Sequence, residues 1–218
     1  MAYLYFVFSS TPNRMGRFIR SATRCPYNHV SLSLDPSLDR MYSFARRHYR
    51  TPFYGGFVRE SRSRYFIGKK AAQICICRLP VSAEDLESLS LRLEEMEKHN
   101  QQYLYNHISA VTGYFKKSYP AKDAYTCVDF ASKVLGQLGY LASSKQQSVG
   151  SLHRLLKPFA TYTGPMFPPQ QQDEAYFSQK PLAHPFRTSV RQVARLIPRH
   201  RQLRKHKSSK YRRSSRYR

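Results

Sequence analysis

Residues 125–138 constrain the fold most, because they combine a helical apolar period with a helix start signal. Apolar side chains recur every three or four residues and predict an amphipathic helix on a core: Val128, Ala131, Val134, Leu135 and Leu138. Thr126 is a typical N-cap, and Asp129 three residues later completes a capping-box pattern. Gly139 is a typical stop signal. Cys127 is therefore expected in the first turn of a helix that packs on the core.

This position of Cys127 allows two interpretations. The first backbone N–H groups of a helix and its positive end favour a negative charge, so a cysteine there can serve as a nucleophilic thiolate. A buried cysteine can also be a small apolar side chain that only packs. The functional interpretation requires a histidine within hydrogen-bond reach of the sulfur.

Alternating polar and apolar residues predict β-strands in the first half of the chain. The clearest case is residues 29–35, where Val30, Leu32 and Leu34 alternate with polar side chains and His29 opens the strand. Residues 41–45 form the second strand of a predicted hairpin, with Ser43 in its middle. Further strands are predicted at residues 3–8 and 71–79. With the helices, these strands predict an α+β fold, a small antiparallel sheet packed against helices.

Helix signals and composition divide the chain into three parts. A capping box at Ser82 begins a predicted helix that runs to about residue 100, and further helices are predicted at residues 14–23 and 148–156. These elements predict one domain over residues 1–165. Residues 166–186 are rich in proline and glutamine, which predicts a linker or an irregular wrapping segment. Residues 187–218 form a basic tail.

Net charge is concentrated in that tail. The chain carries +24, and residues 187–218 hold 13 Lys/Arg and no acidic residue. A short basic amphipathic helix is predicted near residues 188–197, and the rest of the tail is expected to lack structure by itself. A field of this sign attracts nucleic acid, anionic lipid or anionic wall polymers. The candidate binding residues are Arg199, Arg201, Arg204, Lys205, Lys207, Lys210, Arg212 and Arg213.

Targeting and metal-binding signals are not evident in the sequence. The apolar stretch at residues 1–8 is too short for a signal peptide or a membrane span, and no other stretch approaches about 20 apolar residues. Four cysteines are too few for a disulfide scaffold, so we expect a cytoplasmic protein with reduced thiols. Cys75 and Cys77 alternate along a predicted strand and lack a second ligand pair, so we expect packing, and neither a metal nor a cofactor.

The order of these motifs resembles a known family. A strand, a Thr-Pro loop and a helix precede Tyr-Asn-His-Val-Ser-Leu-Ser-Leu-Asp, then Met-Tyr-Ser-Phe-Ala-Arg, and later Tyr-Thr-Cys-Val-Asp-Phe opens a helix. This order is similar to the circularly permuted papain-like cysteine hydrolases, the YiiX-like branch of the NlpC-type cell-wall amidase/endopeptidase superfamily. These proteins are related in fold to the lecithin:retinol acyltransferases. The resemblance covers about residues 1–165.

The resemblance implies roles for individual residues. Cys127 matches the nucleophile and His29 the general base. The third catalytic position falls on Ser43, where the family more often has a carboxylate, a histidine or an amide. A serine supplies no charge to stabilise an imidazolium ion, so Ser43 implies a weak enzyme, another orienting residue or an inactive scaffold. Tyr125 is a candidate for lining the oxyanion site with the Cys127 N–H, and simple packing is the alternative.

Three functions are compatible with these features. The first is a cysteine amidase or peptidase that cleaves peptide or muropeptide-type amides through an acyl-enzyme. The second is a protein that binds an anionic polymer or a membrane surface through its tail, with the papain-like domain as an inactive scaffold. The third is a lipid acyltransferase or thioesterase-like enzyme.

Overall fold

A computed structural model describes the backbone of residues 1–10, 25–51, 53–112, 119–142, 147–171 and 173–214, and the side chains of these residues as far as residue 205. The helix predicted at residues 14–23 lies outside the described residues. Over the described part, the chain has an α+β fold, as the sequence predicts. None of the described helices combines the length and apolar character needed to cross a membrane.

A six-stranded antiparallel sheet forms the centre of the molecule. Its strands are β1 (Ala2–Ser10), β2 (His29–Ser33), β3 (Met41–Arg46), β4 (Gly55–Glu60), β7 (Gln73–Val81) and β10 (Ala160–Pro165). Their order across the sheet is β10-β7-β1-β2-β3-β4. Two small additions are the antiparallel pair β5 (Phe66–Ile67) and β6 (Lys70–Ala71), and the parallel pair β8 (Leu104–Tyr105) and β9 (Ala124–Tyr125).

The described helices are α1 (Ala83–Lys98), α2 (His107–Thr112), α3 (Cys127–Gln137), α4 (Val149–Leu156), α5 (Glu174–Phe177), α6 (Pro185–Ala194) and α7 (Leu196–Ser214). The long helix predicted from Ser82 is confirmed as α1, because the Ser82 hydroxyl accepts a hydrogen bond from the N–H of Asp85 and caps the helix. The cysteine helix is confirmed as α3. It ends before Gly139, whose positive φ suits glycine.

Three helices cover one face of the sheet. Strand residues such as Phe6, Val30 and Phe44 lie on this face and form one core with α1, α3 and α4. The contributions of α3 are Phe130, Ala131, Val134 and Leu135, all of them buried. Because β-strand side chains alternate between faces, the apolar members of β2 point to these helices and Ser31 and Ser33 point to the other side. His29 is the first residue of β2 and lies at the end of the strand.

The opposite face has a smaller core that connecting segments cover. Val7, Met41 and Ile74 pack there with Tyr65 and Met166. Tyr65 ends a short 3-10 helix, Arg62–Tyr65, directly after β4, and its side chain is buried. This segment brings the phenol to the strand face on which Ser31 lies.

The C-terminal part has more structure than the sequence indicates. In the predicted linker, Asp173 accepts hydrogen bonds from Arg64 and Ser61, and Tyr176 of α5 is buried. The tail beyond residue 197 is predicted to lack structure by itself, but α7 is helical and its start packs on the domain. Leu196 is fully buried beside Leu104 and Ala124.

Candidate active site

Cys127 is the first residue of α3, as predicted. Thr126 and Asp129 form a complete capping box: the Thr126 hydroxyl accepts from the Asp129 N–H at 3.1 Å, and the Asp129 carboxylate accepts from the Thr126 N–H at 3.0 Å. This reciprocal pair fixes where the helix starts and holds Cys127 at its positive end. Cys127 is buried at the end of the core formed by α3 and the sheet.

His29 lies near enough to Cys127 for the thiol to influence the pKa of its ring. It is the first residue of β2, and α3 packs across β2 and β3. Burial of the ring lowers the pKa of His29, but the charges of Glu60 and Cys127, and side-chain hydrogen bonds with both, outweigh burial and raise this pKa to about 10. The predicted pair of His29 and Cys127 is therefore brought together, although nearly a hundred residues separate the two along the chain.

Glu60 is the side chain that binds the His29 ring on its other side. The Nε2 atom of His29 lies 3.2 Å from both carboxylate oxygens of Glu60, the last residue of β4. Burial raises the pKa of Glu60, but the charge of His29 and several hydrogen bonds outweigh burial and lower it to about 2. The two side chains therefore form a buried ion pair at neutral pH.

Two buried hydroxyls hold the Glu60 carboxylate in place. The Tyr65 hydroxyl donates to Oε2 of Glu60 at 2.6 Å, and the Ser31 hydroxyl donates to the same oxygen at 2.7 Å. Burial and the charge of Glu60 raise the pKa of Tyr65 well above its ordinary value, so the phenol keeps its proton. Ser31 also lies 3.1 Å from Nε2 of His29. Charge-assisted hydrogen bonds of this kind are stronger than neutral ones and fix the carboxylate orientation.

The prediction that Ser43 orients His29 is wrong in its geometry. Ser43 is buried in the middle of β3, and its hydroxyl has no hydrogen-bond partner among the described residues. In the register of the sheet Ser43 lies beside Val58 of β4. The carboxylate at the His29 ring is that of Glu60, from the next strand of the sheet.

Tyr125 contacts Phe44 and Lys133 instead of the Cys127 sulfur. Its ring packs edge-on against Phe44 with the ring centres 5.2 Å apart, and its hydroxyl accepts from Nζ of Lys133 at 2.9 Å. Lys133 lies further along α3 than Cys127. These contacts agree with simple packing of Tyr125, the alternative to a role at the oxyanion site.

A second group of thiols lies elsewhere in the core. Cys75 and Cys77 are buried on β7 with their sulfur atoms 4.0 Å apart, and Cys75 also interacts with His153 of α4. The rings of Phe8 and Tyr27 pack against His153. Both thiols are buried, and the two aromatic rings pack against His153 beside Cys75. Among the described residues, no group of three or more His, Cys, Asp or Glu side chains could hold a metal ion.

The candidate anion-binding residues of the tail fall into three groups. Arg199 is bound to the domain, since it donates to the carbonyl oxygens of Gln102, Lys122 and Asp123. Arg201, Arg204 and Lys205 lie on the exposed side of α7. The side chains of Lys207, Lys210, Arg212 and Arg213 lie outside the described residues. Arg199 therefore fixes the helix, and the exposed positions after it carry the accessible charge.

The sequence contains one signal that could have pointed to Glu60. It is the one acidic residue between Asp39 and Glu84, in a stretch with many arginines. A lone acid at the end of a strand next to the predicted hairpin is a candidate for a buried charge pair. Arginines stand on both sides of it, at positions 59, 62 and 64.

Comparison with known proteins identifies no relative, since no protein-family model, curated protein or solved structure matches the chain.

Proposed function

We propose that the chain is a cysteine acyl hydrolase of the amidase or peptidase type, with a permuted papain-like domain. The observation that carries the proposal is the linked set Cys127, His29 and Glu60: a thiol at a helix start, an imidazole that interacts with it and a carboxylate that binds the imidazole. This is the arrangement of nucleophile, base and orienting group used in acyl transfer.

In the proposed reaction the thiol proton resides on His29, whose imidazolium form Glu60 stabilises. The Cys127 thiolate attacks a substrate carbonyl carbon and forms a C–S bond, while the carbonyl π electrons move to oxygen. The N–H groups of Cys127 and Val128, which precede the capped N–H of Asp129, have no acceptor within the helix and can bind that oxyanion. When the tetrahedral intermediate collapses, the C–N bond breaks and His29 gives its proton to the leaving amine. Water, deprotonated by His29, then releases the acid and restores the Cys127 thiolate beside the protonated His29 ring.

An amide is the substrate class that this pair suits best. An amine leaves poorly without a proton, and Glu60 keeps His29 protonated well above neutral pH. The Nε2 atom binds Glu60, so the proton exchanged with substrate is on Nδ1. A lipid ester or thioester needs less help from an acid, so the ester-cleaving function is the second candidate.

The test compares Cys127 with a cysteine of equal burial. Cys127 is 5% exposed and Cys25 is 6% exposed. Alkylation by iodoacetamide at neutral pH, followed for each cysteine by peptide mass spectrometry, should modify Cys127 much faster than Cys25. A panel of fluorogenic acyl amides and acyl esters then measures hydrolysis by the wild type, C127A and H29N. We expect C127A to be inactive, H29N to lose about 10²–10⁴-fold, and the control C25S to remain active.

Two results would contradict the proposal: alkylation of Cys127 no faster than that of Cys25, or hydrolysis that survives in C127A. Cleavage of esters but not amides, still dependent on Cys127, would favour the second candidate.

A further inference from the structure

Helix α6 buries a polar side chain and exposes apolar ones. Gln192 is its one buried residue, whereas Phe186 is 79% exposed and Val190 is 50% exposed. A helix that only covers a core has the opposite pattern, with an apolar stripe toward the protein. The outward apolar side chains therefore need another explanation than packing within this domain.

Hydrogen bonds between one side chain of α6 and the backbone of β4 set the orientation of the helix on the domain. The side-chain oxygen of Gln192 accepts from the N–H of Gly55 at 3.1 Å, and the side-chain nitrogen donates to the carbonyl oxygen of Gly55. Gly55 begins the edge strand β4, and Gln192 satisfies both of its backbone groups. A pair of buried hydrogen bonds to one residue fixes the rotation of the helix about its axis.

The outward side chains form a continuous apolar groove. Phe186, Val190 and Val193 of α6 line it together with Phe53, and its volume is about 620 Å³. Phe53 is also half exposed. We call this set the α6 apolar face. Single exposed apolar residues are common, but a contiguous apolar patch on a strongly charged chain indicates a binding surface.

A row of arginines flanks the α6 apolar face. Arg187, Arg191 and Arg195 are spaced four residues apart and all are exposed, so they form a ridge along the helix. The exposed cations of α7 follow, and residues 187–218 contain no acidic residue. Apolar residues beside a basic ridge are the pattern of helices that lie in the headgroup region of a membrane.

We propose that the α6 apolar face docks on an anionic phospholipid bilayer, with its apolar side chains among the acyl chain ends and its arginines at the headgroups. A second copy of the chain is a poor occupant, because it would bring the same strongly positive charge to the contact. Nucleic acid would engage the arginines but leave Phe186 in water. An anionic bilayer supplies both an apolar region and negative charge. This proposal does not depend on the proposed enzymatic activity.

The experiment is co-sedimentation of the full chain with vesicles of phosphatidylcholine alone and of phosphatidylcholine mixed with phosphatidylserine. We expect binding to the mixed vesicles that weakens as salt rises. The double variant F186S/V190S should bind about tenfold more weakly, because it removes the apolar side chains that enter the bilayer. Neutralising one arginine, as in R187Q or R191Q, should lower affinity about fivefold.

Matched controls are L91S, at an exposed leucine of α1, and K70Q on β6; both should bind as the wild type does. Circular dichroism confirms that each variant is folded. Equal vesicle binding by F186S/V190S and the wild type would overturn the proposal and leave the tail charge as the cause. The proposal would also be overturned if the chain does not bind vesicles but forms dimers that F186S/V190S abolishes, since a second copy would then occupy the groove.

Discussion

Replacing Glu60 with glutamine is the sharpest test of the site. The substitution keeps the shape of the side chain but removes its charge and puts an amide N–H₂ group near Nε2 of His29. In the structure that ring nitrogen lies 3.2 Å from both Glu60 oxygens. A neutral amide no longer stabilises the imidazolium ion. Its N–H₂ group also favours the tautomer in which Nε2 accepts, and then Nδ1 carries a proton and cannot take one from the thiol.

The size of the effect follows from the balance of contributions at His29. Burial alone lowers the pKa of the ring below its ordinary value of 6.5, and Glu60 is the largest contribution that raises it to about 10. Without that charge we expect the pKa of His29 to fall. Removing one partner of a buried ion pair costs about 3–5 kcal/mol of folding free energy. In a serine-protease triad, exchange of the carboxylate for an amide lowers turnover about 10⁴-fold, so we expect E60Q to lower turnover.

Three measurements check this expectation. Nitrogen-15 NMR titration gives the pKa of His29, peptide mass spectrometry gives the alkylation rate of Cys127, and urea unfolding gives the free energy of unfolding. The control is E95Q, which removes the carboxylate of an exposed His–Glu pair in α1, where Nε2 of His99 lies 3.0 Å from Glu95. An exposed pair contributes at most about 1 kcal/mol. If E60Q leaves both the pKa of His29 and the alkylation of Cys127 unchanged, Glu60 does not orient the ring.

Further outcomes follow from the same network. The free energy of unfolding should decrease on both sides of neutrality, as measured by urea unfolding across pH. The Glu60 contribution is present above the ordinary pKa of 4.5 and is lost toward pH 2, whereas the His29 contribution is present below pH 6.5 and is lost toward pH 10. A flat profile would contradict the ion pair. Y65F should lower the free energy of unfolding by about 1.5–3 kcal/mol, and Y54F, at an exposed hydroxyl, should not. S43A should leave the pKa of His29 unchanged, as titration would show, since Ser43 has no bond to the ring.

Local signals predict the elements around the site well. The capping box at Thr126 and Asp129 needs only neighbouring residues, and the structure contains it. The strand that begins at His29 follows from the alternation of polar and apolar residues, because the two faces of the sheet have different surroundings. Both features are encoded within a few positions, so the sequence alone determines them.

The partner of His29 could not be predicted in the same way. Glu60 and His29 lie on strands that do not pair with each other, because β3 lies between β2 and β4. Their contact depends on the order of strands and on two long side chains that reach along the sheet face. Ser43 is the predicted partner of His29 because it lies on the adjacent strand. Adjacency in a hairpin, however, does not determine which polar side chain is long enough to reach the ring.

Glu60 also changes what the site can be expected to do. With serine in the third position, the imidazolium ion would have no buried counter-charge, and an inactive scaffold would be a reasonable expectation. With Glu60 hydrogen-bonded by Ser31 and Tyr65, a charged ring beside Cys127 is stabilised at neutral pH. A buried ion pair costs desolvation energy and is a poor way to stabilise a fold. Placing one against a thiol at a helix start therefore supports the proposed chemistry at the sulfur.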